Sequence, residues 1–313
     1  MLSSRGCEGP LLLCIAGPTG AGKTHLAIEL YLRWGWPILS ADARQVYRYL
    51  DIGTNKVPQA VQARVPHFLI DIRWPDEAYS AGAFVQDVEA LLHAWKGLPV
   101  VQVVGGTGFY FQALLYGLAP LPPVEPTLRQ AIQRWYEAEG LLALVAWLQE
   151  RDPFTAARID LCNPRRVMRA IEVLQATGRP WASFWEGPIA RKRWAWVVVL
   201  SLPRETLYRA IGQRTRAQVA AGWLEETRFL LEKGYRPDDP ALQTLGYREC
   251  LEVIEGRRAF ASLTEAIAQA NRHYARRQLT WWRHHPHDMW LEGLSLSEQR
   301  IQIERAVFQV LDK

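Results

Sequence analysis

No stretch of this 313-residue chain approaches the roughly 20 consecutive apolar residues needed to span a bilayer, so a membrane-embedded protein is not expected. The N-terminus has neither the cluster of positive charge nor the small-residue cleavage site of a secretory signal. Cysteine is sparse. Cys7, Cys14, Cys162 and Cys250 are scattered, with no C-x-x-C pair and no histidine pairing, which speaks against structural zinc and a disulfide framework. Internal repeats and low-complexity tails are also missing. The cysteine usage makes a reducing cytoplasm the expectation, no membrane partner is expected, and a monomer is the default expectation for the chain. Charge of one sign is not extreme either: 37 Lys and Arg against 32 Asp and Glu leave a net charge of +5. Where the charge sits is therefore more informative than its sum.

What is present begins with Gly17-Pro18-Thr19-Gly20-Ala21-Gly22-Lys23-Thr24, directly after the apolar run Leu11–Ala16. It fits the G-x-x-x-x-G-K-S/T template completely, with a short buried-strand pattern before it and helix formers (His25–Tyr31) after it. Glycines let the backbone turn tightly and aim its N–H groups inward, forming an anion cradle at a helix N-terminus. Lys23 adds a point charge, and the Thr24 hydroxyl suits Mg²⁺. Such a loop holds a di- or triphosphate; without a ligand it would be only a glycine-rich strand–helix turn.

The first third alternates strand and helix patterns: strands at Leu11–Ala16, Pro37–Ser40, His67–Ile72 and Pro99–Val104, helices at Lys23–Trp34 and Gly82–Trp95. Continuous apolar strands joined by helices predict a three-layer α/β fold of P-loop type, with a parallel sheet covered on both faces. Leu118–Pro126, rich in proline at 120, 122, 123 and 126, reads as a stiff connector. Helical patterns follow over Thr127–Gly140, Leu141–Glu150, Pro153–Ile159 and Pro164–Thr177, with Gly140 as a stop and Asp152-Pro153 as a start. Trp194–Leu202 returns to strand texture. Helices are then expected at Arg204–Ala221, Trp223–Gly234, Gln243–Ile254 and Leu263–His284. The predicted organisation is a core of residues 1–119 and 191–313, interrupted by a helical insertion over residues 120–190.

Three small features lie where strands of such a sheet end, which is where ligands bind in these folds. Asp42 follows the second strand by two residues. Its carboxylate suits magnesium or a proton taken from a nucleophile, and it suits equally a helix N-cap. Gly105-Gly106-Thr107-Gly108 follows the strand at Val100–Val104, where a P-loop hydrolase could place an acidic residue. The Thr107 hydroxyl could bridge a leaving oxygen or cap the helix starting at Phe109. Asp71, at another strand end, is a rival for the acidic role. Arg214, in the helix after Leu202, could close over a pyrophosphate or simply be a surface arginine.

Basic residues cluster at Arg165, Arg166 and Arg169 and at Arg191, Lys192 and Arg193. A third group spans Arg272, Arg276, Arg277, Arg283, His284 and His285, interleaved with Tyr274, Trp281 and Trp282. Cations mixed with flat rings suit a nucleic acid; the same pattern describes a solvated basic helix face with its aromatics turned inward.

Taken in order, the pieces resemble the tRNA dimethylallyltransferases, also called tRNA isopentenyltransferases. The matching runs are the phosphate loop, Ser40–Tyr47, Asp51–Lys56, His67–Asp71, Tyr79-Ser80-Ala81 and Gly105–Tyr110. The later half adds Asp152-Pro153, Asn163–Ala170, Gly246–Glu249 and Arg277–Trp282. The resemblance implies transfer of a dimethylallyl group from its diphosphate to the exocyclic amine of adenosine 37 of tRNA, beside the anticodon. It implies a diphosphate on Gly17–Thr24 with Mg²⁺ on Thr24, and catalytic roles for Asp42 as general base, Thr107 at the bridging oxygen and Arg214 on the diphosphate. It further implies tRNA contacts at Asp42, Ala43, Arg44, Gln45 and Thr107, at Arg165, Arg166, Val167, Met168 and Arg169, and at Gln243, Gly246, Tyr247 and Arg248. Two positions depart from the family pattern: Ala43 stands where Ser is usual and Arg248 where Lys is common. Outside that resemblance, the alternatives are a small-molecule kinase binding ATP in the loop and a tRNA-binding protein without catalysis.

Overall fold

The computed structural model describes residues 9–95, 97–119, 121, 123–185 and 193–312. Cys7, Pro120, Pro122, Arg191 and Lys192, named above, lie outside the described residues. The chain divides into two compact units, Met1–Tyr116 with Arg191–Lys313, and Gly117–Ala190.

The larger unit is built on six parallel strands in the order β3-β2-β4-β1-β5-β6: β1 (Leu11–Ala16), β2 (Ile38–Ser40), β3 (His67–Phe68), β4 (Val100–Gly105), β5 (Ala195–Ser201) and β6 (Met289–Glu292). β1 lies between β4 and β5, with Ala16 opposite both Gly105 and Val199. Alternate residues of β1 feed opposite faces. Leu11, Leu13 and Ile15 join one core with Leu26, Ala27 and Leu30 of α1 (Lys23–Trp34). Leu12, Cys14 and Ala16 join another, which includes Phe84 and Val88 of α3 (Ala81–Ala94) and Phe111 and Leu114 of α4 (Gly108–Tyr116). The short α2 (Gln59–Gln62) lies between β2 and β3 in the chain. Both faces of the sheet are thus covered, which is why every residue of β1 and β4 is buried.

The smaller unit comprises α5 (Pro126–Arg151), α6 (Pro153–Ala156) and α7 (Pro164–Thr177), closed over Ile132, Leu144, Leu148, Val167 and Ile171. Gly140, with φ 77° and ψ 179°, breaks α5 into the two segments its sequence suggests. Back in the larger unit are α8 (Arg204–Ala220), α9 (Trp223–Glu232), α10 (Tyr247–Ile254), α11 (Leu263–Arg283) and α12 (Leu296–Leu311).

Several sequence expectations are revised. The apolar run His67–Ile72 is a strand only at His67–Phe68, because Leu69 and Asp71 adopt left-handed φ values of 65° and 57° and turn the chain. The expected helix from Gln243 starts at Tyr247, since Gly246 has φ 93° and holds the break. The helix at Pro153 ends at Ala156 rather than Ile159. β6 and α12 were not anticipated; α12 sends Ile303 and Val307 into the core beside β1.

Candidate active site

The register of the sheet brings three loops to one end: Gly17–Gly22 after β1, Ala41–Gln45 after β2 and Gly106–Thr107 after β4. Gly17 lies so close to β5 that a Cβ there would fall 2.2 Å from the Leu200 carbonyl oxygen, so the loop can begin only with glycine. Gly22, at φ 85°, turns the chain into α1, whose first-turn amides at Lys23 and Thr24 have no acceptor within the helix. Lys23 Nζ donates to Gly17 O at 3.0 Å and Pro18 O at 2.8 Å, so its ammonium is folded across the loop. Burial, opposed by Asp42 and aided by Arg214, brings the pKa of that ammonium down to about 8 in all.

Arg214 reaches the same loop from α8. Its Nη2 donates to Thr19 Oγ1 at 2.6 Å, while its Nε is a buried donor with no partner in the protein. Burial lowers its pKa and the Asp42 carboxylate raises it. Lys23, Asp42 and Arg214 therefore share one electrostatic neighbourhood, two cations and one carboxylate. The alternative of an idle surface arginine does not hold.

Asp42 Oδ1 accepts from the Arg44 amide at 2.8 Å, an Asx turn rather than a helix cap, because residues 43–46 form turns and no helix. Thr107 Oγ1 accepts from the Ala43 amide at 3.1 Å, tying the β4 loop to the β2 loop, while its carbonyl receives the Tyr110 amide at 2.9 Å. Burial and then Asp42 push the phenol of Tyr274 on α11 up to about 12, with Arg44 and the Thr107 side chain opposing the shift, so it stays protonated. Tyr110 is likewise raised, by burial first and then by Tyr47 and Asp42.

Gln278, also on α11, was not singled out from the sequence. Its Oε1 accepts from the Thr19 amide at 2.9 Å and its Nε2 donates to Gly106 O at 2.8 Å. One of the expected phosphate-facing amides, that of Thr19, is thus directed to a side chain. Next to it, Trp281 lies against Gly108, where a Cβ would fall 2.2 Å from its Nε1, and stacks on His285 at 3.7 Å. Trp282 turns into the core, edge-on to Phe111. Of the two readings open for the α11 aromatics, Trp282 follows the one in which the ring turns inward.

Two other expectations also change. Asp71 pairs with Lys56, whose Nζ also meets Asp51 and the Tyr47 carbonyl; its carboxylate is used in holding this loop rather than offered at the phosphate loop. Tyr247, expected at tRNA, is wholly buried, with its hydroxyl on Glu226 Oε1 at 2.6 Å. Glu226 also accepts from the amides of Asp51, Ile52 and Gly53 at 2.9, 2.7 and 3.0 Å. Gly246 is pressed against Trp223, so Gly246-Tyr247 forms a buried brace for the Asp51–Lys56 loop. Gln45 donates to Thr54 O at 3.2 Å within the same brace. Arg248 is exposed, and Gln243 bonds Pro237 O at 2.7 Å.

In the smaller unit Asn163 caps α7 and Pro164 opens it. Arg165 and Arg166 are exposed in its first turn, where cations oppose the helix dipole and so do not serve helix stability. Val167, expected at tRNA, is instead fully buried, Met168 is half-buried, and Arg169 is paired with Glu172 at 2.9 Å.

Among the described residues no group of three or more His, Cys, Asp or Glu could hold a metal ion. A phosphate-bound Mg²⁺ needs far less, since it keeps several waters and takes one or two protein oxygens. The Thr24 hydroxyl, in the first turn of α1 beside Lys23, fits that demand. No helix is long and apolar enough to cross a membrane among the described residues.

Residues 45–285 match the family model described as IPP transferase, and residues 11–71 match that described as Isopentenyl transferase. A tRNA dimethylallyltransferase of Myxococcus xanthus is 42% identical over 290 residues, covering 91% of this chain and 94% of the relative. One from Thermus thermophilus is 43% identical over 276 residues, covering 88% and 90%. Among solved structures, the full-length tRNA isopentenylpyrophosphate transferase of Bacillus halodurans superposes with a TM-score of 0.71 at 29% identity, covering 96% of this chain and 97% of that one. With matches of this extent running through both units, the chain belongs to the tRNA dimethylallyltransferase family of prenyltransferases.

Proposed function

We propose that this protein transfers a dimethylallyl group from dimethylallyl diphosphate to the exocyclic amine of adenosine 37 in tRNA, releasing diphosphate and giving isopentenyladenosine. The observation that carries the reading is the grouping of Asp42 with Lys23 and Arg214 at the mouth of the phosphate loop. Two cations facing one carboxylate suit a reaction that expels an anionic leaving group while a nearby amine loses a proton.

The chemistry follows from the chain's own groups. An adenine amine is a poor nucleophile because its lone pair is delocalised into the ring, so the rate must come from orienting the reactants and stabilising the leaving group. The first-turn amides of α1, the Lys23 ammonium and the Arg214 guanidinium take up charge as the carbon–oxygen bond breaks. The Thr24 hydroxyl would hold Mg²⁺, whose chemistry there would be further charge neutralisation. Thr107, held by the Ala43 amide, presents its hydroxyl to the bridging oxygen. As the amine nitrogen bonds to the allylic carbon, its proton passes to Asp42. The target base must leave its stack to reach this site. Arg165 and Arg166 offer exposed cations to RNA phosphates. Ala43 leaves the family's usual hydroxyl absent, and contributes its backbone amide to Thr107 instead.

The test incubates purified protein with dimethylallyl diphosphate, Mg²⁺ and unmodified tRNA, with mass spectrometry of the digested nucleosides. Prenylated adenosine at position 37 is the expected product. ATP consumption without prenyl transfer, or tRNA binding with neither reaction, would overturn the reading.

A further inference from the structure

We infer that Gln278 is a positioning residue that sets the spacing between the two loops on which the transfer depends, the phosphate loop and the Gly105–Gly108 loop carrying Thr107. The inference rests on the proposed prenyl transfer and goes beyond it by assigning a residue with no direct part in the chemistry.

Gln278 is 259 residues from Thr19 and 172 from Gly106, yet its carboxamide bonds to both, accepting from the Thr19 amide at 2.9 Å and donating to Gly106 O at 2.8 Å. It is only 6% exposed. A buried amide is costly unless both ends are paired, so this seat is specified by hydrogen bonding and not by volume. The orientation is fixed by its partners: turned over, the amide would set an oxygen against the Gly106 carbonyl and an NH₂ against the Thr19 N–H. Gly106 makes the approach possible, because a Cβ there would fall 2.2 Å from Nε2.

Each loop is also held from its outer side. Arg214 grips the Thr19 hydroxyl, and the Ala43 amide grips Thr107. Gln278 alone in this set touches both loops. A donor that spans them, with its diphosphate on one and its bridging oxygen at the other, requires their separation to be constant to a fraction of an ångström. A displacement of about 1 Å in such an arrangement costs on the order of 100-fold in rate. An anion that occupies the phosphate loop alone has no such requirement.

That contrast defines the experiment. Wild type, Gln278→Met and Gln278→Glu are compared for kcat and KM with dimethylallyl diphosphate and unmodified tRNA, and for calorimetric binding of inorganic diphosphate. Gln278→Met should lose about 100-fold in kcat while diphosphate affinity changes little. Gln278→Glu should be impaired at neutral and alkaline pH, where its carboxylate opposes the Gly106 carbonyl. Relative to wild type it should recover in mild acid, because the protonated acid again offers one acceptor and one donor. Gln278→Met should show no such recovery. Thermal melts at each pH establish that the variants are folded; if the Met variant does not fold, the pH response of the Glu variant decides. Near-wild-type kcat in Gln278→Met, a parallel loss of kcat and diphosphate affinity, or a Glu variant without acid recovery would each overturn the assignment. A wild-type protein that makes no prenylated RNA would overturn the proposed function as well; an active wild type with an unimpaired Met variant would sink the positioning role alone.

Discussion

Arg214 on α8 and Thr19 in the phosphate loop are joined by a 2.6 Å hydrogen bond across 195 residues of sequence, and the guanidinium Nε remains a buried donor without a protein acceptor. A charged donor held in that state suits an anion with more than one oxygen. Arg214→Gln should therefore reduce kcat/KM for the allylic diphosphate by roughly 100-fold or more, as expected for losing a preorganised donor to developing charge. Arg214→Lys should not restore it, because a lysine cannot bond Thr19 and the ligand with the same fork of donors. Steady-state kinetics with both variants check this, and near-wild-type activity in the lysine variant would contradict it.

Lys23 gives two pH effects of opposite sign. With its pKa near 8 in the fold against an ordinary 10.5, it binds fewer protons folded than unfolded between those values. Stability therefore rises with pH over that window, as the cost of a desolvated ammonium is relieved. Diphosphate affinity should fall over the same window, because the loop loses its charge. Calorimetric binding and thermal melts on either side of pH 8 should diverge in the wild type, and both responses should flatten in Lys23→Met. A wild-type affinity independent of pH would remove Lys23 from the cradle.

Much of this arrangement was legible in sequence, for identifiable reasons. Local chemistry announces itself: Gly17–Thr24 is a contiguous signal, and the burial of β1 follows from an unbroken apolar run. Gly140 and Asp152-Pro153 punctuate helices through backbone preferences that need no tertiary context. Interactions made across long separations carry no such signal. Gln278 and Glu226 look like ordinary polar residues on helices, and only folding sets one beneath two loops and the other against three amides. Likewise the composition of His67–Ile72 reads as strand, while its fate is decided by Lys56 and the turn at Leu69 and Asp71.

Asp42→Asn preserves the acceptor that meets the Arg44 amide and so should leave the loop intact. As an amide cannot take the proton of the attacking amine, turnover should drop by about 100- to 10,000-fold with tRNA affinity nearly unchanged. Single-turnover rates and filter binding separate the two quantities. Wild-type turnover would exclude Asp42 as the base.

The arginines of α7 divide by partner. Arg169 is bound to Glu172 at 2.9 Å, whereas Arg165 and Arg166 are exposed. Arg165→Glu with Arg166→Glu should weaken tRNA binding and lower the slope of log affinity against log salt by roughly 0.7–0.9 for each RNA phosphate no longer neutralised. Because neither side chain supports the core of this unit, the melting temperature should hardly move. Unchanged affinity across a salt titration would remove these two residues from the RNA interface.

Glu226 separates structural from catalytic consequences. Its carboxylate accepts three backbone amides and the Tyr247 hydroxyl, so Glu226→Ala strands four donors in and around a buried cluster that includes Trp223 and Tyr247. Hydrogen bonds to a charged group contribute about 1.5–3 kcal/mol each, but relaxation and water entry at the half-open rim make the total far less than their sum, roughly 3–5 kcal/mol. In a unit of this size that corresponds to a fall in melting temperature of roughly 10 °C. Glu226→Gln retains acceptor capacity on one oxygen only, and should cost less. Because the brace fixes the Asp51–Lys56 loop and, through Gln45, the loop bearing Asp42, activity measured well below the new melting temperature should fall modestly and in step with stability. A large loss of turnover in Glu226→Ala without any loss of stability would instead make this carboxylate a direct participant in the site.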